Sequence, residues 1–279
     1  MKKFLLIICA ACLLMTGCGG NNSSDDAGKI KLGMITRLNA SEENFGEFMK
    51  KLEDTLEVKI SSHKPVFFDN LNAMQMSLQS KQIDEISTYR SVARYMTAKN
   101  PRFEVLKDHS LEFIDSFCFA LRDDETELRD SLNRVIKDMQ SDGTLERLTK
   151  EYITDISNEN DPPAVELPHF DSAQTIKVAV TGDLPPLDFV SADGKPAGFN
   201  TAVLAEIGKR MLKNIELVEI TGGARASALT SKQVDVVFWA IVPVSEIIPA
   251  DTDKPDGVIL TDPYFKDKVV HMIFKGEEK

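Results

Sequence analysis

Leu78-Gln79-Ser80-Lys81-Gln82-Ile83-Asp84 and Leu229-Thr230-Ser231-Lys232-Gln233-Val234-Asp235 are close variants of one heptapeptide, separated by 151 residues. Each copy follows a helical apolar pattern and precedes a strand-like run, so each predicts the passage from a helix into a strand. One phrase of this kind is common at helix-to-strand junctions. The similar order of elements before each copy nevertheless favours two equivalent α/β lobes in one chain.

The elements around the two copies alternate between strands and helices. The predicted strands of the first half are 30–35, 65–68 and 83–87, and those of the second half are 176–180, 215–220 and 234–239. Helices with one apolar face are predicted between or after them, and the clearest carry Phe45, Phe48, Met49, Leu52 and Leu56, then Leu128, Leu132, Val135, Ile136 and Met139, then Val203, Leu204, Ile207 and Met211. This alternation predicts an α/β fold with two mainly parallel sheets, each flanked by helices.

A stretch of low hydrophobicity divides the two halves. Residues 155–174 read DISNENDPPAVELPHFDSAQ, and their three prolines cannot continue a helix or a central strand. We therefore predict one lobe at residues 29–157, a linker at 158–174 and a second lobe at 175–279.

The first residues have the features of an export signal. Lys2 and Lys3 precede the apolar run FLLIICAACLL, which is too short to span a bilayer. The run ends near Gly17-Cys18 ahead of a polar stretch, which resembles the lipobox of bacterial lipoproteins. The resemblance implies a signal peptide at residues 1–17, lipidation of Cys18, a flexible tether at 18–28, and attachment to the outer face of the cell membrane through that lipid alone. A plain secretory signal with an incidental cysteine is the alternative.

The composition restricts the classes of function. The net charge of −11 leaves no basic excess to neutralise nucleic-acid phosphates, so no nucleic-acid partner is predicted. His63, His109, His169 and His271 are scattered without the spacing of a metal site, so neither a metal nor a cofactor is predicted. No motif sets a nucleophile beside a base, so we expect no enzyme. Cys118 lies in an apolar run and is expected in the core.

Several phrases carry a family resemblance. In the second half they are VAVTG at 178–182, PP at 185–186 with Phe189, DGK at 193–195, GF at 198–199, the heptapeptide, and TDPY at 261–264; in the first half they are 71–84, FALRDD at 119–124, Leu128 and DGTL at 142–145. Together they resemble the bacterial extracellular solute-binding proteins of family 3. The resemblance implies a two-lobed, type II periplasmic-binding-protein-like fold that captures a small polar solute, an amino acid or related carboxylate, for an ABC permease. A ligand-sensing module or a dehydratase-type enzyme on this fold are the alternatives.

The two halves match the family in inverted order. The first half resembles the family's second lobe with its C-terminal helices, and the second half resembles the family's first lobe. We therefore hypothesise a circular permutant, with two independent half-domains or a fusion of gene fragments as the alternatives. In a permutant, the helices of residues 124–153 should pack on residues 176–265 and not only on their own half.

Candidate binding residues follow the strands, because ligands of parallel sheets bind at the carboxyl ends of the strands. The candidates are Thr36, Arg37, Asn39, Thr88, Tyr89, Arg90, Asp183, Phe189, Arg225 and Trp239. Arg37 and Arg90 are suited to hold a carboxylate in bidentate fashion. Trp239, the only tryptophan, suits either a ligand-facing position or the core.

Two departures from the family concern its amino-acid ligand. Members usually hold the ligand's carboxylate with an arginine in a Thr-x-x-Arg setting and its ammonium with an aspartate. Here residues 244–248 read VSEII, and Tyr89 takes the place of the aspartate. Arg225 or Arg37 is expected to supply the missing cation, with an altered ligand class as the consequence.

Overall fold

The computed structural model describes residues 28–39, 46, 50, 53–54, 63–107, 113–156, 160–245 and 248–276. The first half contains β1 (Ile30–Ile35), β2 (His63–Phe68), α1 (Leu71–Gln79), β3 (Glu85–Tyr89), α2 (Arg90–Lys99), β4 (Phe103–Val105), β5 (Ile114–Arg122), α3 (Thr126–Ser141), α4 (Thr144–Thr149) and a π-helical turn, Lys150–Thr154. The second half contains β6 (Thr175–Val180), β7 (Asp183–Leu184), β8 (Asp188–Val190), β9 (Pro196–Ala197), α5 (Phe199–Met211), β10 (Asn214–Glu219), α6 (Arg225–Thr230), β11 (Val236–Pro243), β12 (Val258–Leu260) and β13 (Phe265–Phe274).

Parts of the sequence-based prediction fall outside these ranges. The export signal, Cys18 and most of the tether lie before the described residues. The predicted helix that carries Phe45 to Leu56 also lies largely outside them, although Gly46, Lys50, Glu53 and Asp54 are helical. In the described residues no helix is both long and apolar enough to cross a bilayer.

Ten strands form a continuous sheet whose two halves, one in each lobe, have the same strand order, and β7, β8 and β9 form a separate three-stranded sheet. Lobe A has the order β2-β1-β3-β13-β4, and lobe B has the order β10-β6-β11-β5-β12. In each lobe, three parallel strands are followed by one antiparallel strand and a short last strand. Two equivalent α/β lobes are thus confirmed.

The fourth strand of each lobe comes from the other half of the chain. β5 belongs to the first half but lies between β11 and β12 of lobe B. β13 belongs to the second half, and its residues 269–274 lie between β3 and β4 of lobe A. Where they cross, β13 and β5 pair with each other, as Phe265 with Phe117. Each lobe thus has three parallel strands and, beside them, an antiparallel strand from the other half.

The repeated heptapeptide has the same geometry in both lobes. Lys81 and Lys232 both take the left-handed conformation, each with a φ of 61°. The Asp84 carboxylate accepts a hydrogen bond from the Lys31 amide at 2.7 Å, and the Asp235 carboxylate accepts one from the Lys177 amide at 2.9 Å. The heptapeptide thus ends a helix and fixes the neighbouring strand. Because of this turn, β3 begins at Glu85 and β11 begins at Val236, each two residues after the predicted start.

The helices that follow β5 pack on lobe B. Asn133 of α3 accepts a hydrogen bond from the Asp262 amide at 2.8 Å, and Gln140 donates one to the Pro263 carbonyl at 3.1 Å. Arg210 of α5 forms an ion pair with Asp142 at 2.8 Å. Residues 126–142 therefore contact residues 210–263, which is the packing that the permuted arrangement requires. Cys118 lies in this core at 1% exposure, and burial raises the pKa of its thiol to about 12.

Candidate functional site

The carboxyl ends of the parallel strands of the two lobes face each other across a narrow cleft. A cavity of about 20 Å³ remains at its centre, and its walls include Arg37, Thr88 and Tyr89 of lobe A and Leu184 and Trp239 of lobe B. A volume of this size holds about one water molecule. Four residues of this wall were predicted from the sequence, and they come from both halves of the chain.

Arg37 and Tyr89, in the wall of the cavity in lobe A, form an ionic cluster with Asp115 of β5. The Arg37 guanidinium lies 3.4 Å from Asp115 Oδ2, and the Tyr89 hydroxyl donates to the same oxygen at 2.9 Å. Burial lowers the pKa of Arg37, but Tyr89, Asp115 and the nearby Asp253 more than offset this and raise it, so Arg37 remains a cation. Burial raises the pKa of Tyr89 well above its usual value, so its hydroxyl remains a donor.

Asp115 is a functional candidate that the sequence prediction missed. It is 3% exposed and lies in β5, 78 residues from Arg37 along the chain. The available signal was a carboxylate within the mostly apolar run of residues 113–121, because a buried carboxylate requires a charged or hydrogen-bonding partner.

Trp239 forms the wall of the cavity in lobe B. It lies within β11, and a bulge between Val237 and Ala240 lets the strand continue beyond residue 239, where it was predicted to end. The bulge gives Trp239 a φ of 59°, a left-handed conformation that is costly for a large side chain and that occurs at functional sites. The indole is 3% exposed and packs edge-on against Tyr89, with ring centroids 5.9 Å apart.

Arg225 packs against the indole ring of Trp239. Its guanidinium lies 4.9 Å from the centre of the indole ring, within range of a cation–π interaction. It also donates to the carbonyls of Gly222, Phe238 and Trp239, and across the cleft to that of Thr36 at 3.0 Å. Arg225 is fully buried, and burial lowers its pKa, with Asp253 and Asp188 opposing. Its donors are thus committed to the backbone, which makes Arg37 the better cation for a ligand.

Other hydrogen bonds join the lobes directly. Asp183 accepts from the amides of Leu71 and Asn72, at 2.8 and 3.4 Å, at the start of α1. Asp253, which is 3% exposed, accepts from the Asn39 amide at 2.9 Å. Asp69 accepts from the Gly223 amide at 3.1 Å. Three carboxylates therefore hold the lobes together around the cavity.

The remaining predicted residues lie around this centre. Thr36 donates to the Phe68 carbonyl at 3.1 Å and forms part of the lobe contact described above. The Phe189 ring lies 6.3 Å from that of Tyr95 in the other lobe. Arg90 is exposed at the first residue of α2.

A larger cavity of about 280 Å³ lies beside the cleft. It is enclosed by α2, the end of the π-helical turn and the Pro186 loop, and Arg94, Tyr95 and Ile153 are in its wall. The sequence prediction missed it, because it forms only where segments far apart in the chain meet.

A buried carboxylate also shapes the loop that follows β6. Asp188 is 2% exposed and accepts hydrogen bonds from the amides of Thr181 and Gly182, both at 2.8 Å. Burial raises the pKa of Asp188 to about 6, although these hydrogen bonds lower it in part. Asp188 thereby holds the loop that carries Asp183 and Leu184 to the cleft.

The comparison with protein families matches lobe B. Residues 176–250 match the sequence model of the bacterial extracellular solute-binding proteins, family 3. The match covers 75 of the 279 residues of the chain. The family 3 match begins in β6 and includes Asp183, Phe189, Arg225 and Trp239. Family 3 is a family of binding proteins, which supports a solute-binding role.

Several solved structures align with most of this chain at low similarity. The chain has 13% identity and a TM-score of 0.41 to the ligand-binding component of an ABC-type import system from Staphylococcus aureus, crystallised with zinc bound; the alignment covers 88% of this chain and 65% of that one. An L-cystine ABC transporter protein from Listeria monocytogenes, described as putative, has 14% identity and a TM-score of 0.39, with coverage of 89% and 84%. Scores this low say nothing about ligand or lobe arrangement. Among curated proteins, no sequence matches this chain.

Proposed function

We propose that this protein captures a small polar solute, an amino acid or related carboxylate, between its lobes and delivers it to an ABC permease. The observation that carries the proposal is the convergence of Arg37, Tyr89 and Trp239 on one cavity at the carboxyl ends of the strands. A family 3 match in lobe B supports the same role. The function is binding rather than catalysis, as in the family as a whole.

Arg37 and Asp115 provide the charges that an amino acid requires. In the proposed complex, Arg37 holds the carboxylate, for which its planar fork of donors is suited. Asp115 receives the ammonium, and Tyr89 keeps the Asp115 carboxylate in place through the 2.9 Å hydrogen bond. Asp115 thereby replaces the family's usual aspartate, whose position Tyr89 occupies. The solute would insert between Arg37 and Asp115, which now form an ion pair with each other at 3.4 Å.

The solute must enter from a more open arrangement of the lobes. A cavity of about 20 Å³ cannot hold an amino acid, and direct hydrogen bonds join the two lobes. We propose a hinge where β5 and β13 cross between the lobes, since these strands are the continuous connections there. Opening would part Asp183 from α1 and Arg225 from Thr36, and closing on the solute would restore both contacts.

Isothermal titration calorimetry of the full chain against amino acids and small carboxylates tests the proposal. We expect one solute class to bind, and Arg37→Lys to weaken its affinity at least tenfold, because lysine keeps the charge beside Asp115 but loses the bidentate fork. The matched control is Arg94→Lys, which alters the larger neighbouring cavity and should leave affinity unchanged. An affinity that depends on Arg94 instead would place the solute in that cavity.

A ligand-sensing module on the same fold is the second candidate. Two observations favour it: direct hydrogen bonds join the lobes, and the cavity between them is too small for a solute. In that case the lobes would transmit a signal to a partner protein instead of delivering a solute. Solute binding without association with an ABC permease in a pull-down experiment would favour this candidate over transport.

We further propose that the lobe order is circularly permuted relative to the family. The packing of α3 and α4 on lobe B and the exchange of β5 and β13 support this proposal. Lys29 precedes β1 and Lys275 follows β13, and both lie at the same end of the strands of lobe A. Only β3 lies between these strands, so at the usual strand spacing the two residues are about 10 Å apart. A chain reordered by a short linker between them, with new ends in residues 157–174, should fold and bind like the original. A reordered chain that fails to fold would count against the permutation.

We propose that the protein is exported and anchored by a lipid on Cys18. The short apolar run and the cysteine with a polar stretch after it support this assignment. Mass spectrometry of the mature N-terminus should find a diacylglyceryl group on Cys18, and Cys18→Ala should release the protein from the membrane fraction. An unmodified cysteine in a fully secreted protein would contradict the anchor.

A further inference from the structure

Three side chains with metal-binding groups meet on one face of lobe A. They are His63 of β2, Glu85 of β3 and His271 of β13, which are neighbours of Ile30, Leu32 and Ser87 in the strand registers. Register partners point to the same face of a sheet, and so do residues two apart on one strand. One nitrogen of each histidine and one carboxylate oxygen lie within 4.8 Å of one another.

We propose that His63, Glu85 and His271 bind a divalent transition-metal ion, for which Zn²⁺ is the best match. Glu85 Oε2 lies 3.5 Å from His63 Nε2 and 3.1 Å from His271 Nδ1. At Zn–ligand distances of about 2.0–2.1 Å, the ligand atoms of a tetrahedral site are about 3.3 Å apart. Two of the three separations thus already fit, and the third, between the two imidazole nitrogens, is at most 4.8 Å.

The chemistry of the three groups selects the kind of ion. Two imidazole nitrogens and one carboxylate oxygen form a common ligand set for zinc, which leaves the fourth position to water or to a further ligand. Mg²⁺ and Ca²⁺ prefer sites built of six or more oxygen atoms and are poorly served here. The side chains are 26%, 13% and 20% exposed, so an ion can reach them from solvent while most of the site remains enclosed.

The site lies away from the cleft. His63 and Glu85 are the first residues of β2 and β3, whereas the cleft is at the carboxyl ends of these strands. Glu85 precedes Tyr89 by four residues, which is about 13 Å along an extended strand. A bound ion would therefore not contact the solute. It would tie β13 to β3 and β2, and β13 is one of the two strands that cross between the lobes.

Zinc titration of the full chain, expressed without a histidine tag, tests the site. Calorimetry in competition with a chromophoric chelator should give one Zn²⁺ per chain, and Zn²⁺ should raise the melting temperature. His63→Ala and Glu85→Gln should each weaken zinc affinity at least tenfold and remove the thermal shift. His63 begins its strand and is partly exposed, so its replacement should leave the fold intact, which circular dichroism can verify.

The matched control is His169→Ala. His169 is exposed beside Asp171, 3.6 Å away, and should not change zinc binding when it is replaced. A wild-type chain that binds no zinc would overturn the proposal, and the trio would then be a carboxylate that hydrogen-bonds two imidazoles. Binding that survives replacement of both His63 and His271, or equal affinity for Mg²⁺, would overturn it as well.

Discussion

The Asp183 carboxylate of lobe B accepts a hydrogen bond from the Leu71 amide at the first residue of α1 in lobe A, at 2.8 Å. A second one comes from the Asn72 amide. A carboxylate at a helix N-terminus satisfies amides that have no partner within the helix and interacts favourably with the helix dipole. Because donor and acceptor belong to different lobes, this contact stabilises the closed arrangement.

Asp183→Ala should shift the lobes toward an open arrangement. Loss of both hydrogen bonds should cost about 1–2 kcal/mol of closure, which small-angle X-ray scattering would record as a larger radius of gyration. Asn70→Ala is the matched control, because Asn70 caps the same helix through the Ala73 amide at 2.8 Å without reaching lobe B. Equal radii for the two variants would show that Asp183 does not hold the lobes.

Asp188 should make the protein less stable as the pH rises from about 4 to about 6. Burial raises the pKa of Asp188 to about 6, whereas in the unfolded chain it is about 3.9. The folded state therefore binds the proton more tightly, and its advantage, about 3 kcal/mol, is complete at low pH and lost as the pH rises through 6.

Urea unfolding at several pH values measures this contribution. Asp188→Asn removes the titrating group, so the free-energy difference between wild type and variant should change by about 2 kcal/mol between pH 4 and 7. Asp171→Asn at an exposed position is the control and should give parallel curves. Parallel curves for Asp188→Asn itself would contradict the raised pKa.

Gly198 is required by close packing as well as by its backbone conformation. Its φ is +105°, and a Cβ atom there would lie 2.6 Å from the Leu187 carbonyl oxygen. Gly198→Ala should therefore destabilise the fold by about 3 kcal/mol. Gly194 has a φ of +79° with nothing within 4 Å of its Cβ position, so Gly194→Ala should cost only about 1 kcal/mol. If chemical denaturation gives the same loss of unfolding free energy for both variants, the loop around Gly198 relaxes to accommodate the methyl group.

The two halves should not fold separately. Residues 175–276 lack β5, which lies between β11 and β12, and residues 29–156 lack β13, which lies between β3 and β4. Each half alone would expose an incomplete apolar sheet. We expect neither to unfold cooperatively by circular dichroism, and the mixed halves to regain a cooperative transition. Two halves that fold alone would support independent half-domains instead.

Local pattern predicted the elements but not their assembly. The heptapeptide marked the entries to β3 and β11, since its Asp84 and Asp235 fix a local strand contact. The exchange of β5 and β13 is encoded by no local period, because it depends on pairing between strands that are far apart in the chain. Arg37 was predicted as a ligand-binding residue, but its partner Asp115 was not, because they are distant in sequence. The bulge at Trp239 and the meeting of His63 with His271 likewise depend on strand register.

A titration of Trp239 fluorescence with the solute panel tests the central claim most directly. Trp239 is the only tryptophan and lies in the wall of the cleft cavity, so its emission reports on this site alone. We predict a saturable change in emission with one class of amino acid or carboxylate, weakened at least tenfold by Arg37→Lys and unchanged by Arg94→Lys. A calorimetrically detected solute that leaves the emission unaltered, or binds Arg37→Lys as tightly as wild type, would contradict binding between the lobes.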